Sequence, residues 1–394
     1  MMSDASNTTI VRHSSRIELS QSALKHNFGF IRDLIGRRPI ISMVVKANAY
    51  GHGFTEAAVM AQKCGIRHFS VASSHEAREI LNVLGGDSRI MVMGILYADD
   101  LPWIVDNEIE SYVFHLERLR RIADVAKEVG KKTRIHLELE TGGNRTGLPM
   151  DLLPQALKII NAKRKYLDLV GVCTHLAGAE SMSNNFRISR QIAEFNQARK
   201  RIDRTKSLSP LYHVASSAAA MTIPESRMDL VRIGTVAYGL WPSPDVQNLY
   251  LLKATKKTSK PLKRVLSWKT DVMQVKEVRR NDFVGYGTAY QAPRDSKIAI
   301  IPVGYGNGFP RELSNRGEVL IRGRRAPVVG VVNMNMFFAD VTNIPGVAEG
   351  DETVLVGRQK KNEITLRSFS EFSSALNTEF LSRLPAIIPR EIVK

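Results

Sequence analysis

The stretch IISMVVKANAYGHG, residues 40–53, decides how the chain is read. Ile40–Val45 is a short apolar run of the kind that forms a strand, and Lys46 follows it directly, before a glycine-rich turn. Working outward, comparable runs recur at His68–Ala72, Arg89–Met93, Ser111–Phe114, Thr133–Leu139, Leu167–Cys173, Leu211–Ala215 and Met228–Ile233. Segments of helical periodicity lie between them. Gln21–Ile35 puts Leu24, Phe28, Ile31 and Leu34 on one stripe, and Arg187–Ile202 is a second example. Eight strands alternating with helices predict an α/β fold, a closed (β/α)8 barrel rather than an open doubly wound sheet. No GxGxxG follows the first strand, which speaks against a dinucleotide site.

After about residue 252 the texture changes. Short alternating runs at Ser267–Val275, Lys297–Val303, Glu318–Ile321, Ala326–Val332 and Glu352–Val356 are separated by Gly and Pro turns, and one helix is expected within Leu366–Leu376. The expected division is a barrel over residues 18–252 and a C-terminal mostly-β domain over 253–394, to which residues 1–17 belong. The Lys-rich stretch at Ala254–Lys260 reads as an exposed connection.

Composition narrows the function. The 394 residues are 43% apolar and 24% charged, which argues against wholesale disorder. No apolar run approaches the roughly 18–20 residues of a membrane span. A net charge of +17 raises the chance of an acidic or phosphate-bearing partner. The cations fall in scattered clusters, such as Arg322, Arg324 and Arg325, without interleaved aromatics, so solvated surface is favoured over a nucleic-acid interface. Cys64 and Cys173 could form one disulfide on counting alone, and nothing suggests a thiolate metal site. The opening MMSDASNTTIVRHSSRIELS lacks the apolar core of a secretory signal, so the expected compartment is the cytoplasm.

In such a barrel, reactive groups gather at the C-terminal ends of the strands. Lys46 stands at one of them, where burial lowers an amine's pKa and frees it to attack carbonyls; the alternative is a surface lysine just past a strand. Other strand ends offer Arg145, His175, His213, Ser216, Ser217, Arg232, Gly234 and Thr235. Taken singly, a histidine here is as readily a core residue and an arginine an ion-pair partner. Together, a lysine, an arginine and backbone N–H groups near Ser217 and Gly234–Thr235 suit a pyridoxal phosphate pocket.

At this point the chain resembles a known family. VVKANAYGHG at 44–53 is similar to the cofactor-lysine motif of alanine racemases, and THLAGAE at 174–180, HVASSAA at 213–219, VRIGTVAYGL at 231–240, VGYGTAY at 284–290 and PVGYGNGFPREL at 302–313 follow in the family's order. The resemblance implies a barrel followed by a β domain, pyridoxal phosphate as cofactor, and a homodimer whose sites combine one subunit's barrel with the other's β domain. It implies that Lys46 holds the cofactor as a Schiff base and that Tyr286 is the second acid/base. It places Arg232 at the pyridine nitrogen, with His175 supporting Arg232 or Tyr286. Arg145 would contact the ring oxygen or the substrate carboxylate. Tyr50, Ser217, Gly234 and Thr235 would bind the phosphate, the Met334 N–H the substrate carboxylate, and Tyr305 would narrow the entrance.

Three positions depart from the family's usual pattern. Glu138 stands where many members have a lysine near the ring-oxygen arginine, and would hold Arg145 directly if its reach suffices. Asn335 replaces an acidic residue, as in some broad-specificity racemases. No tyrosine follows Tyr305 to contact the phosphate from the C-terminal side. The implied activity is interconversion of L- and D-alanine, for which D-alanine of a bacterial cell wall is the natural use. The alternatives are a racemase that also takes serine, lysine or arginine, and a decarboxylase on the same barrel. The decarboxylase would use a cysteine in place of Tyr286. A non-catalytic cofactor carrier would be a single barrel, without the second domain.

Overall fold

The computed structural model describes residues 12–205, 207–253, 261–370 and 377–394. The chain packs into two compact units. Among the described residues, one unit lies within Ser20–Val265, joined by Lys394; the other lies within Leu266–Val393, together with residues 12–19. The strands in chain order are β1 (Ser15–Ser20), β2 (Ile40–Val44), β3 (His68–Ser73), β4 (Arg89–Ile95), β5 (Glu110–Val113), β6 (Thr133–Glu138), β7 (Leu167–Cys173), β8 (Leu211–His213), β9 (Leu230–Ile233), β10 (Leu266–Asp271), β11 (Gln274–Val278), β12 (Ser296–Ile301), β13 (Glu318–Ile321), β14 (Arg324–Val329), β15 (Phe337–Asp340), β16 (Glu352–Gln359), β17 (Asn362–Ile364) and β18 (Arg390–Val393).

The first unit is the barrel. Strands β2 to β9 form one sheet in the order β8-β7-β6-β5-β4-β3-β2-β9, with every ladder parallel. The Asp229 N–H donates to Tyr212 O at 3.0 Å and the Arg232 N–H to Ala215 O at 3.0 Å, which joins the β8 and β9 segments and closes the ring. The first helix, Gln21–Ile35, begins where Ser20 Oγ accepts the Ala23 N–H and ends at Gly36, whose φ is +82°. It buries Ala23, Leu24, Phe28 and Ile31 against the barrel unit, the apolar stripe visible in the sequence.

The barrel interior carries an unusual share of polar groups. Ser42, His68, Ser70, Glu110, His136, His213 and Arg232 are all buried. Several bond across an intervening strand: His68 on β3 reaches Glu110 on β5, and His136 on β6 reaches His213 on β8. Side chains converge in this way on the inner, concave face. Gly171 of β7, between the last two, leaves the space: a Cβ there would lie 2.0 Å from His136 Nδ1.

The second unit is one sheet in the order β11-β12-β15-β14-β13-β16-β10-β1-β18, with β17 on β16. Its core includes Trp268, Phe309 and Phe337, the last two stacked with ring centroids 4.4 Å apart. The single strand expected at Ser267–Val275 is two. β10 pairs with β16 and β11 with β12, so the chain changes partner at Val272–Met273, where the two N–H groups donate to Asp351 O and Ile300 O. β1, β15, β17 and β18 were not expected as strands. They are short, and β1 owes its place to β10, with which it pairs from Ser15↔Thr270 to Leu19↔Leu266. A four-residue helix, Arg367–Ser370, opens the expected helical segment; residues 371–376 and the Lys-rich connection at 254–260 lie outside the described residues. Cys64 and Cys173 are free thiols, so the possible disulfide is not formed. Among the described residues no helix is long and apolar enough to cross a membrane.

Two glycines make opposite predictions. Gly171→Ala should destabilise the protein by about 2–3 kcal/mol, because the His136 ring has nowhere to go. Gly29→Ala, on a helix with nothing within 4 Å of the new methyl, should stabilise by up to about 1 kcal/mol. Urea unfolding of both variants measures the contrast; equal effects would refute the packing assigned to Gly171.

Candidate active site

Lys46 follows β2 at the mouth of the barrel, and the chain turns in an uncommon way beyond it. Ala47, Asn48, Ala49 and Tyr50 all have φ between +52° and +53°, a single left-handed helical turn. For L-residues this costs about 1–2 kcal/mol each. Neighbouring groups hold it. Glu76 accepts the N–H groups of Ala47 at 2.9 Å and Ala72 at 2.6 Å, tying the turn to β3. Asn48 Oδ1 accepts the Phe54 N–H, and the His52 ring stacks on Tyr238 at 4.3 Å. Glu76 was not anticipated; its part is visible only when the turn is.

Lys46 is accessible at the mouth, yet the surrounding protein lowers its pKa, first by desolvation and then through the positive charge of Arg145, with Glu76 opposing. Burial, with Glu180 and Glu76 adding to it, pushes the Tyr50 phenol up to about 12, so it stays a hydroxyl at neutral pH. His175 is pushed down to about 3, by desolvation and by the charges of Arg232, Arg145 and Lys46. The mouth thus gathers three cations around a neutral imidazole.

Tyr50, Ser217 and Gly234 come together on one side. Ser217 Oγ accepts the Gly234 N–H at 2.9 Å, and a Cβ on Gly234 would lie 2.6 Å from Tyr50 Oη. Ser216 Oγ is shielded from solvent with no hydrogen-bond partner. Thr235 follows Gly234 and is half-buried.

Arg232 heads a buried chain. Its guanidinium donates to His213 Nδ1 at 2.7 Å and to the carbonyls of His213, Thr174 and Val214. Since a guanidinium only donates, His213 Nδ1 is bare and the ring hydrogen sits on Nε2. That hydrogen goes to His136 Nδ1 at 2.9 Å, which leaves His136 Nε2–H to donate to Glu110 Oε2 at 2.8 Å. The same oxygen accepts from His68 Nε2 at 3.0 Å, and His68 Nδ1 accepts from Ser42 Oγ at 2.8 Å. Burial would raise the Glu110 carboxyl, but the two imidazole hydrogen bonds outweigh it and hold the group well below the usual carboxylate range. Desolvation lowers His213 and His136, most strongly His213, which Arg232 also repels. The hydrogen bonds of Arg232 thus run to His213, with His175 near enough to feel its charge. Glu110, His68 and His136 were not anticipated: a lone buried histidine or glutamate carries no sequence signal of its partners.

Arg145 is exposed on a loop organised by Glu140, which accepts the N–H groups of Gly142, Gly143 and Asn144. Glu138 does not pair with Arg145. It is buried, Oε2 has no partner, and its pKa is raised by desolvation, with Thr146, Arg232 and Arg145 only moderating the rise. Glu138 ends β6 in the interior, whereas Arg145 sits on the exposed loop. Tyr286, Tyr305 and Met334 belong to the β unit, where they are 75%, 43% and 57% exposed. Asn335 is exposed as well.

Known proteins agree with this architecture. The family model described as the N-terminal domain of alanine racemase matches residues 19–242, and that of the C-terminal domain matches residues 265–392. The chain belongs to the alanine racemase family. The alanine racemase of Clostridium perfringens strain SM101 is 33% identical over 385 residues, 96% of each chain. The solved alanine racemase of Clostridium difficile 630 has a TM-score of 0.87 at 26% identity over 98% of each chain. That of Bartonella henselae, solved with covalently bound pyridoxal phosphate, has a TM-score of 0.81 at 24% identity, covering 97% of this chain and all of that one. Membership makes this chain a pyridoxal phosphate-dependent isomerase. The mouth fits that cofactor. The lone Ser216 hydroxyl, the Ser217 and Tyr50 hydroxyls and the bare Gly234 suit a phosphate, and the cations around Lys46 suit an anionic ligand.

Gly234→Ala should force the Tyr50 hydroxyl aside and weaken pyridoxal phosphate binding at least about tenfold, or ~1.4 kcal/mol. Absorbance titration of the cofactor-free protein reads this, and an unchanged affinity would separate Gly234 and Tyr50 from the phosphate. A second expectation concerns acid. His175 ionises near 3 when folded and near 6.5 when unfolded, so the unfolded chain binds more protons below about pH 6.5. The stability is present above that pH and is lost as pH falls toward 3. His175→Gln should flatten the decline in the cofactor-free protein by up to ~1.4 kcal/mol per pH unit; identical slopes would place the proton uptake elsewhere.

Proposed function

We propose that this protein interconverts L- and D-alanine, with pyridoxal phosphate carried on Lys46 and Tyr286 as the opposing acid/base. The observation that carries the assignment is Lys46 itself: an amine at a barrel strand end, close enough to Arg145 to feel its charge and with its pKa lowered by burial and by that charge. When bound, the cofactor supplies a carbonyl for the substrate amine and a ring that withdraws electrons from Cα. Inversion then needs a proton removed on one face of Cα and delivered on the other. The Lys46 Nζ serves one face, and its lowered pKa increases the free-amine fraction at neutral pH. The Tyr286 Oη serves the other.

The remaining residues bind and orient. Ser217, Tyr50, Gly234 and Thr235 take the phosphate. Arg232, held rigidly by His213 and two further carbonyls, would meet the pyridine nitrogen of a bound cofactor; a guanidinium does not release its proton, so it would keep that nitrogen unprotonated and make the ring a weaker electron sink. This favours return of the proton over side reactions. His175 stays neutral beside it. Arg145 meets the ring oxygen or the substrate carboxylate, the Met334 N–H meets that carboxylate, and Tyr305 narrows the entrance. Because Tyr286 is exposed on the β unit, we assign it to the barrel of a second copy, in a homodimer with shared sites. Two unpaired cysteines suit a reducing cytoplasm.

A broader racemase is the second reading, favoured by Asn335, which lacks the charge of an acidic residue at that position. A decarboxylase is disfavoured, because the β unit contains no cysteine to replace Tyr286.

Chiral chromatography of L-alanine, L-serine, L-lysine and L-arginine reactions should show alanine as the best substrate, with measurable turnover of serine. A preference for lysine would transfer the assignment to the broader class. Mixing inactive Lys46→Ala with inactive Tyr286→Phe should restore activity, since a heterodimer regenerates one complete site. Failure to recover, with subunit exchange demonstrated, would show each site to be built from one chain.

A further inference from the structure

The opposite end of the barrel carries none of the reacting groups, yet it holds a cavity of about 380 Å³ among the N-terminal ends of the strands. Arg32, Arg37, Arg38, Arg67 and Arg89 line it, against two lining carboxylates, Asp87 and Glu110. Both carboxylates are engaged. Asp87 takes Arg67 Nε at 2.7 Å, and Glu110 Oε2 takes His68 and His136 while Oε1 lies 3.6 Å from Arg89. Among the described residues Arg38, largely exposed at the rim, pairs only with Asp229, at 3.8 Å. Among the described residues no carboxylate lies within 4 Å of Arg32 or Arg37. Arg32 is half-buried, donates to Pro39 O at 2.8 Å, and has its pKa lowered by desolvation. A cation withdrawn from water without a counter-ion is costly unless an anion supplies one.

We propose that this cavity is an anion site for a small phosphate-bearing metabolite. Several forked guanidiniums around one space match an anion with three or more acceptor oxygens and more than one charge better than they match a single carboxylate. The volume is that of a small-molecule pocket. A metal ion is the other candidate occupant, because ligand atoms of His68, Glu110 and His136 lie within 4.8 Å of one another. The hydrogen bonds decide against it: both Nε2 atoms carry hydrogens directed at Glu110, and the arginines repel a cation. The site also gives part of the +17 charge a specific use.

The test uses holoenzyme whose cofactor has been fixed by borohydride and freed of excess, so that the phosphate-binding residues at the mouth are filled. Titration calorimetry with inorganic phosphate at constant ionic strength should show saturable binding of one ion per chain. Arg32→Gln and Arg37→Gln should each weaken it about tenfold or more, the loss expected for a charge-assisted hydrogen bond. Arg37 is exposed, so its variant keeps the fold even if Arg32→Gln does not. Thr235→Val, at the mouth, should leave the binding unchanged. Absence of saturable binding, or binding lost in Thr235→Val and indifferent to Arg37→Gln, would overturn the proposal.

Discussion

A guanidinium can only donate, and in this protein that single constraint sets the hydrogens of a whole buried chain. Arg232 presses an N–H on His213 Nδ1, so His213 must donate from its other nitrogen, His136 must accept on Nδ1, and Glu110 receives what is left. Each imidazole is buried and neutral, and each has one bare and one protonated nitrogen fixed by its neighbour. The barrel interior is therefore polar, and along this path Glu110 Oε1 alone accepts no hydrogen bond, lying 3.6 Å from Arg89. Space for it depends on Gly171, whose missing side chain lets two rings meet across β7. Arg232 is held by covalent neighbours on β9 and by a column of hydrogen bonds reaching β5 and β3. That column makes its orientation a property of the barrel rather than of one loop.

The barrel was legible because its strands are continuous apolar runs with well-separated helices. Leu167–Cys173 and Gln21–Ile35 have the same bounds in sequence and structure, and the other barrel strands shift by a few residues. The β unit was less so. Its strands are short and its partners distant, and nothing local marks the change of partner at Val272–Met273 or the recruitment of Ser15–Ser20 to β10. Motifs led to Lys46, Tyr50, Ser217, Arg232 and Gly234, whose neighbours in space are also near strand ends. They could not lead to Glu110 or His68, which lie at the far ends of their strands and matter only through one another. Glu138 illustrates a further limit: charge suggested a bond to Arg145, but the carboxylate is buried and the arginine lies on an exposed loop, a contrast no local sequence pattern marks.

Positive charge is arranged at both ends of the barrel, for different reasons. At the mouth Lys46, Arg145 and Arg232 lie close enough to depress one another's neighbours, and His175 stays neutral as a result. At the floor the arginines are held apart around a cavity, partly neutralised by Asp87 and Glu110. Repulsion within each cluster disfavours the compact state until an anion is present, so a ligand at either end would also stabilise the fold.

The left-handed turn at Ala47–Tyr50 has a consequence for how this stretch can vary. Two alanines and an asparagine there bear on no reacting atom through their side chains; their service is to tolerate a backbone that larger or β-branched residues resist. Part of what makes KANAY so diagnostic is thus steric rather than chemical. A library that randomises these positions to alter the enzyme's substrates would mostly sample chains unable to make the turn. Diversity is better spent on side chains carried by ordinary backbone, such as Asn335 and Tyr305, where shape can change without first rebuilding the loop that presents the lysine.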